Sequence, residues 1–231
     1  MQTHALKYLQ SNPLMHMDMI VPIKRGTADI LHASSEGVCL KETQSGAHMI
    51  SVSSYDLSRK LIDLIPRGEM VTFHQAYLIE DLKERFDSYT LMESYQAVYF
   101  KTEPLPVRGD MEVKALNLSH FPILMENYDV NVGAEYLHNR LECGALFGGY
   151  VTNSLVGFAG IHAEGSIGLL KIFEQYQKKG YGTALTSFMV NHQLNQNAIP
   201  FAQIDIDNMA SLTLMRKLGF DVSCERVFWL F

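Results

Sequence analysis

The chain has 231 residues, 47% of them hydrophobic and 19% charged, and a formal net charge of −6. That composition suits one large globular domain or two small ones, and the excess of acid over base in both residues 1–112 and 113–231 leaves a nucleic-acid partner without electrostatic support. No apolar run is long enough for a membrane span, no charged segment followed by an apolar one marks a signal peptide, and no block of like charge suggests an anionic-membrane patch. Cys39, Cys143 and Cys224 are too few and too irregularly spaced for a disulfide framework or a zinc site, so a cytoplasmic location is expected.

The first residues read as two helices, Ala5–Gln10 and Met15–Ile23, followed by extended segments at Ala28–His32, Gly37–Glu42 and His48–Val52. Leu57, Leu61, Ile62 and Ile65 recur at helical spacing within Ser53–Ile65, and Pro66-Arg67-Gly68 stops that helix. Met70–Phe73 reads as a strand, Gln75–Phe86 as a helix and Tyr95–Lys101 as a strand. Two prolines and a glycine make Thr102–Asp110 the linker candidate, which predicts domains at 1–108 and 109–231.

Beyond it come a strand at Val113–Leu116, a helix capped by Ser119 and running to Asn127, and a helix at Ala134–Leu141 closed by Gly144. Ala145–Val151 and Leu155–His162 form a hairpin around Thr152-Asn153-Ser154. Ile167–Phe173 is almost continuously apolar, as in a sheet covered on both faces. A helix at Gly180–Leu194, a strand at Phe201–Ile206, a helix at Ala210–Leu218 and a strand at Val222–Leu230 complete the chain. The first half shows a shorter version of this order, which suggests a structural duplication.

Gln177-Lys178-Lys179-Gly180-Tyr181-Gly182 joins the apolar strand to the longest helix. A helix start offers unpaired N–H groups and a positive dipole end, and glycine there lets a diphosphate approach the backbone. Lys178 and Lys179 add charge. A glycine pair at a helix start is equally a plain turn when taken alone. Met15-His16-Met17-Asp18-Met19 reads as core packing rather than a soft-metal site. Cys143 and Cys224 read as buried thiols. Asp205 and Asp207 alternate on one strand, facing solvent or the acceptor end of a cleft.

With Asn208 before the last helix and Gly219-Phe220 after it, residues 112–231 resemble the GNAT superfamily of acyl-CoA N-acyltransferases. The family's phosphate loop reads Gln/Arg-x-x-Gly-x-Gly/Ala, which Gln177 to Gly182 matches. The nearest likeness is to the glycine N-acyltransferase-like branch, which carries a degenerate GNAT half before the active one. The resemblance implies an α/β fold (α+β, mixed sheet) of tandem GNAT type, with a degenerate N-terminal half and a catalytic C-terminal half. It implies transfer of an acetyl or other acyl group from acyl-CoA directly to a primary amine of a small molecule or peptide, with no metal. Acetyl-CoA or another acyl-CoA would be the co-substrate. Partners would be that thioester and the amine acceptor, not nucleic acid or membrane; a homodimer stays open.

By the same resemblance, Ile167–Phe173 splays from Phe201–Ile206. Pantetheine would pair with backbone groups of Leu170 and Ile172, on either side of Lys171. The diphosphate would rest on Gln177, Lys178, Lys179, Gly180, Tyr181, Gly182 and Thr183. Asn208 would contact the pantetheine arm, and Ser211 would help from the last helix. Where the family often has Pro, Glu174 stands. The N-terminal counterpart helix begins Ser53-Ser54-Tyr55-Asp56 without a glycine loop, and Asp56 would repel phosphate.

A backbone N–H near Leu170 would polarise the thioester carbonyl. Glu164, in the turn His162-Ala-Glu-Gly-Ser166, is the candidate base, with His162 as its competitor. A turn carboxylate capping a backbone N–H is the structural alternative for Glu164. The tyrosine that many family members place four residues before the terminal glycine is Met215 here, so thiolate protonation falls to water or to the ammonium proton. Tyr176 and Tyr181 read as packing residues, and Gln203 as a possible acceptor contact. A non-catalytic acyl-CoA sensor or a protein-interaction module on the same fold is the alternative function.

Overall fold

A computed structural model describes residues 1–128 and 133–231 of the chain. They fold as two compact units, one made of Met1–Val98 with Phe201–Phe231 and the other of Tyr99–Pro200. The sequence-based division at 108/109 falls inside the second unit. The reason is strand pairing: the last two strands of the chain complete the sheet begun by the first half.

In the first unit, α1 (Gln2–Leu9) and α2 (Met17–Arg25) precede β1 (Ala28–Ala33), β2 (Gly37–Glu42) and β3 (His48–Val52). Then come α3 (Tyr55–Ile62), β4 (Val71–Phe73), α4 (Ile79–Lys83) and β5 (Leu91–Val98). From the end of the chain the unit gains β10 (Phe201–Asp205), α8 (Met209–Lys217) and β11 (Asp221–Leu230). The seven strands run in the order β1-β2-β3-β4-β11-β5-β10, giving a mixed sheet in which only β3 and β4 pair in parallel. β5 lies between β10 and β11, with Tyr95 opposite Ile204 on one side and Arg226 on the other.

One apolar face of this sheet closes under α3 and α4, with Ile50, Phe73, Leu61, Leu82 and Phe228 buried together. The Phe73 and Phe228 rings stack at 5.2 Å. The expected helix over Gln75–Phe86 is shorter, a 3-10 turn at Ala76–Leu78 leading into α4. The Met15–Met19 segment is entirely buried, as a core reading requires.

In the second unit, β6 (Glu112–Ala115), α5 (Phe121–Asn127) and α6 (Ala134–Glu142) lead to β7 (Leu146–Val151), β8 (Ser154–Ile161) and β9 (Ile167–Ile172), and α7 (Tyr181–Asn195) follows. The sheet is antiparallel in the order β6-β7-β8-β9, so β9 is an edge strand. Thr152 and Asn153, both at positive φ, make the two-residue turn of the β7–β8 hairpin. Asn117, not Ser119, caps the segment that leads into α5: its side chain accepts from the Ser119 backbone N–H.

The expected linker has no regular structure but is fastened to α7. Asn191 bridges Leu105, accepting from its N–H at 2.7 Å and donating to its carbonyl at 2.8 Å. This bidentate pair holds Thr102–Asp110 within the second unit. Two cysteines depart from expectation. Cys143, the residue closing α6, and Cys224, in the irregular stretch of β11, are exposed, while Cys39 is buried in β2. Among the described residues no helix is long and apolar enough to cross a membrane.

Candidate active site

The loop from β9 to α7 is built to leave a helix start open. Lys178 and Gly180 both adopt positive φ, +59° and +85°, and Gly180 is the residue that precedes the first helical turn. Among the described residues no side chain caps that turn, so its leading N–H groups lack a partner within the helix. Gln177 through Gly180 are exposed, whereas Tyr181 is buried and anchors the turn, and Gly182 and Thr183 are half-buried. Gln177 Nε2 donates to the Ile172 carbonyl at 3.2 Å, tying the loop back to β9. Lys179 Nζ donates to the Gln175 carbonyl at 2.9 Å and lies over the Tyr176 ring, so its charge is held along the loop. Tyr176 and Tyr181 meet edge to face, the packing role expected of them.

Arg108 is a part of this loop that sequence reasoning missed. Its guanidinium stacks over Tyr181 at 4.9 Å, donates to the Lys179 carbonyl and pairs with Asp110 at 2.6 Å. Its place in a proline-flanked linker gave no signal of that role. The equivalent start of α3 is different in kind: Ser54 accepts from the Leu57 N–H, and Asp56 sits in the first turn. A capped, acidic helix start disfavours phosphate.

β9 carries an irregularity at its centre. Phe158 pairs with Lys171 and Gly160 with Gly168, so Ala159 faces both Leu169 and Leu170. Leu169 takes φ +53° at this bulge, a conformation that a branched side chain seldom adopts and that no sequence feature announces. Leu170, Lys171 and Ile172 follow on the edge strand, all half-buried.

The turn from β8 to β9 gathers five polar side chains. Glu164 is 7% exposed and accepts from the Ser166 hydroxyl, so its partner is a side chain rather than a backbone N–H. Gln193 of α7 donates to the Gly165 carbonyl at 2.8 Å, fixing the turn to the helix. His162 is half-buried; its Nδ1 lies 2.8 Å from the Tyr136 hydroxyl of α6, and the two rings stack. The Ala163 N–H donates to the same hydroxyl at 3.2 Å. Burial, reinforced by the nearby Glu164 charge, pushes the Tyr136 phenol well above its ordinary range, so it stays protonated. Tyr136 belongs to no recognisable motif, and its proximity to His162 comes only from folding.

In the other unit, Asn208 caps α8, accepting from the Ser211 N–H at 3.0 Å. Met215 is buried and offers no proton. Asp205 accepts from the Asp207 N–H in a local turn. Gln203 is committed inside its unit: it donates to Asp18 and accepts from Trp229 Nε1. Among the described residues no cluster of acidic, histidine and cysteine side chains could hold a metal.

Comparison with known proteins bears on the fold. The family described as FR47-like protein matches residues 146–230, which span the β7–β9 sheet strands, the open loop and the last helix. A Drosophila protein of solved structure is similar over 99% of this chain and 94% of its own, with a TM-score of 0.69 and 11% identity. A GCN5-related N-acetyltransferase-like protein from Streptococcus suis is similar over 98% of each chain, with a TM-score of 0.57 and 13% identity. A GNAT-family acetyltransferase from Colwellia psychrerythraea is similar over 97% of this chain and 96% of its own, with a TM-score of 0.54 and 13% identity. No curated protein matches the sequence. The chain therefore has the mixed α/β GNAT fold.

Proposed function

We propose that the protein is an acyl-CoA-dependent N-acyltransferase that moves an acetyl or other acyl group directly to a primary amine of a small molecule or peptide. The observation that carries this reading is the exposed, uncapped start of α7, reached through two left-handed residues from a bulged edge strand. The diphosphate of the coenzyme would lie on the N–H groups of Lys178 to Thr183, with Gln177 holding the loop. Pantetheine would add to the edge of β9 through Leu170 and Ile172, flanking Lys171.

Amine acylation needs a neutral nucleophile and a polarised carbonyl. Glu164 would receive the ammonium proton, and the Leu170 N–H at the bulge would polarise the thioester. Nitrogen attacks the carbonyl carbon, the carbon–sulfur bond breaks, and the thiolate takes a proton from solvent or from the nitrogen. The likeness to the glycine N-acyltransferase-like branch and the descent of residues 1–108 and 109–231 as two halves belong to the same proposal. So does a cytoplasmic location.

Thiol release from acetyl-CoA across a panel of primary amines, with the full chain, tests the reading. Turnover on at least one amine, reduced at least about 10-fold by Glu164→Gln, is expected. Coenzyme binding without turnover on any amine would instead favour a sensor, a reading that buried Met215 supports. No binding of acetyl-CoA at millimolar concentration would end both.

A further inference from the structure

The Tyr136 oxygen already accepts the Ala163 N–H, so the phenol's own proton must point elsewhere. The one acceptor within hydrogen-bonding distance of it among the described residues is His162 Nδ1, at 2.8 Å. A phenol held protonated by burial donates there, and an imidazole nitrogen that accepts cannot carry the ring proton. The neutral ring therefore carries its proton on Nε2. That nitrogen makes no hydrogen bond among the described residues.

Nε2 also has a defined place. A Cβ added to Gly168 would lie 2.3 Å from it, so the ring rests directly on the glycine backbone of β9. Gly168 immediately precedes Leu169, the left-handed residue of the bulge. Only a residue without a side chain at 168 admits the imidazole at this point of the strand.

We propose that His162 is a catalytic hydrogen-bond donor, its Nε2–H directed at the oxygen that becomes negative as the thioester is attacked, and that Tyr136 is the positioning residue that fixes this tautomer. The inference rests on the acyltransferase reading above. It assigns His162 a role opposite to that of a base: no proton leaves the ring, and Nε2–H and the Leu170 N–H share the oxyanion. Proton acceptance stays with Glu164. The charged and titratable groups around the pair are Glu164 on the same turn, Arg140 with its guanidinium 5.5 Å from the Tyr136 ring, and Tyr128 beyond α5.

Two measurements decide it. In the full chain labelled with 15N-histidine, the His162 resonances, assigned by their loss in His162→Gln, report the tautomer at pH 8.5. Protonated Nε2 and bare Nδ1 are expected, with the preference weakened in Tyr136→Phe; protonated Nδ1 overturns the proposal whatever the protein catalyses. In thiol release with acetyl-CoA and the best amine, His162→Ala is expected to lower kcat about 100-fold with little change in KM. Glutamine places an N–H near the Nε2 position but cannot act as a base, so His162→Gln is expected to restore most of that loss. Equal failure of alanine and glutamine, or wild-type kcat in His162→Ala, refutes the donor role. If no amine is acylated by the wild-type chain, the acyltransferase reading fails and takes the oxyanion role with it, whatever the tautomer.

Discussion

His16 and His74 meet edge to face with ring centroids 5.1 Å apart, and their surroundings shift their proton affinities in opposite directions. His74 Nε2 donates to Asp18 at 3.1 Å and Nδ1 faces the Ile50 carbonyl at 3.3 Å, so both nitrogens look at acceptors. His16 Nδ1 faces the Leu9 carbonyl while Nε2 takes the Ser51 hydroxyl at 2.9 Å, an arrangement that suits a neutral ring.

For His74, burial alone would depress protonation, but the Asp18 charge and hydrogen bond outweigh it and raise the folded pKa. The stability it contributes is present in full below the unfolded value near 6.5 and is lost as pH rises through the higher folded value. Chemical denaturation of the wild type above pH 6.5 should therefore show declining stability, and His74→Gln should flatten that limb. Asp18→Ala strips the acceptor from His74, Gln96 and Gln203 together and is expected to cost about 3–5 kcal/mol.

His16 gives the opposite limb. Burial and the neighbouring His74 charge pull its folded pKa from 6.5 to about 4. The unfolded chain then binds more protons between those values, so stability falls as pH drops from 6.5 towards 4. The loss attributable to this group is about 3 kcal/mol. His16→Gln should remove most of the acid limb in the same denaturation series; an unchanged limb would assign it to other groups.

Gly180→Ala places a side chain where φ is +85°, with the Arg108 guanidinium 3.2 Å from the new Cβ. Backbone strain of about 1–2 kcal/mol is expected. Calorimetric titration should show acetyl-CoA affinity lowered about 10-fold through the disturbed loop, and Gly46→Ala, equally strained but remote from the loop in sequence, should leave affinity unchanged.

Thiol labelling of the native protein should modify Cys143 and Cys224 rapidly and leave Cys39 unmodified until denaturation. Burial pushes the Cys39 thiol up to about 12, which removes the reactive thiolate as well as access to it.

The elements of the second unit were legible because each carries a local signature. The apolar run of β9, the turn at Thr152-Asn153 and the glycines at the start of α7 all act through neighbouring residues. What stayed hidden depends on distant parts of the chain. Nothing near Tyr136 points to His162, 26 positions away, and nothing near Leu169 requires its left-handed backbone. The exposed state of Cys143 and Cys224 followed the same rule: hydrophobic character argued for burial, but a helix end and an irregular strand segment turned both outward. The pairing of β5 with β10 and β11 is another case, since strand neighbours separated by more than a hundred residues leave no periodicity to read.

That pairing bears on how the molecule is made. β4 and β5 emerge from the ribosome long before residues 201–231, and until those residues are synthesised each lacks the neighbour that later lies between them or beside them. β5 then has no partner and β4 pairs only with β3, so both present open, largely apolar edges to other nascent chains. Premature termination anywhere after β5 would consequently yield insoluble or chaperone-bound product, even where the sheet of Tyr99–Pro200 has already formed.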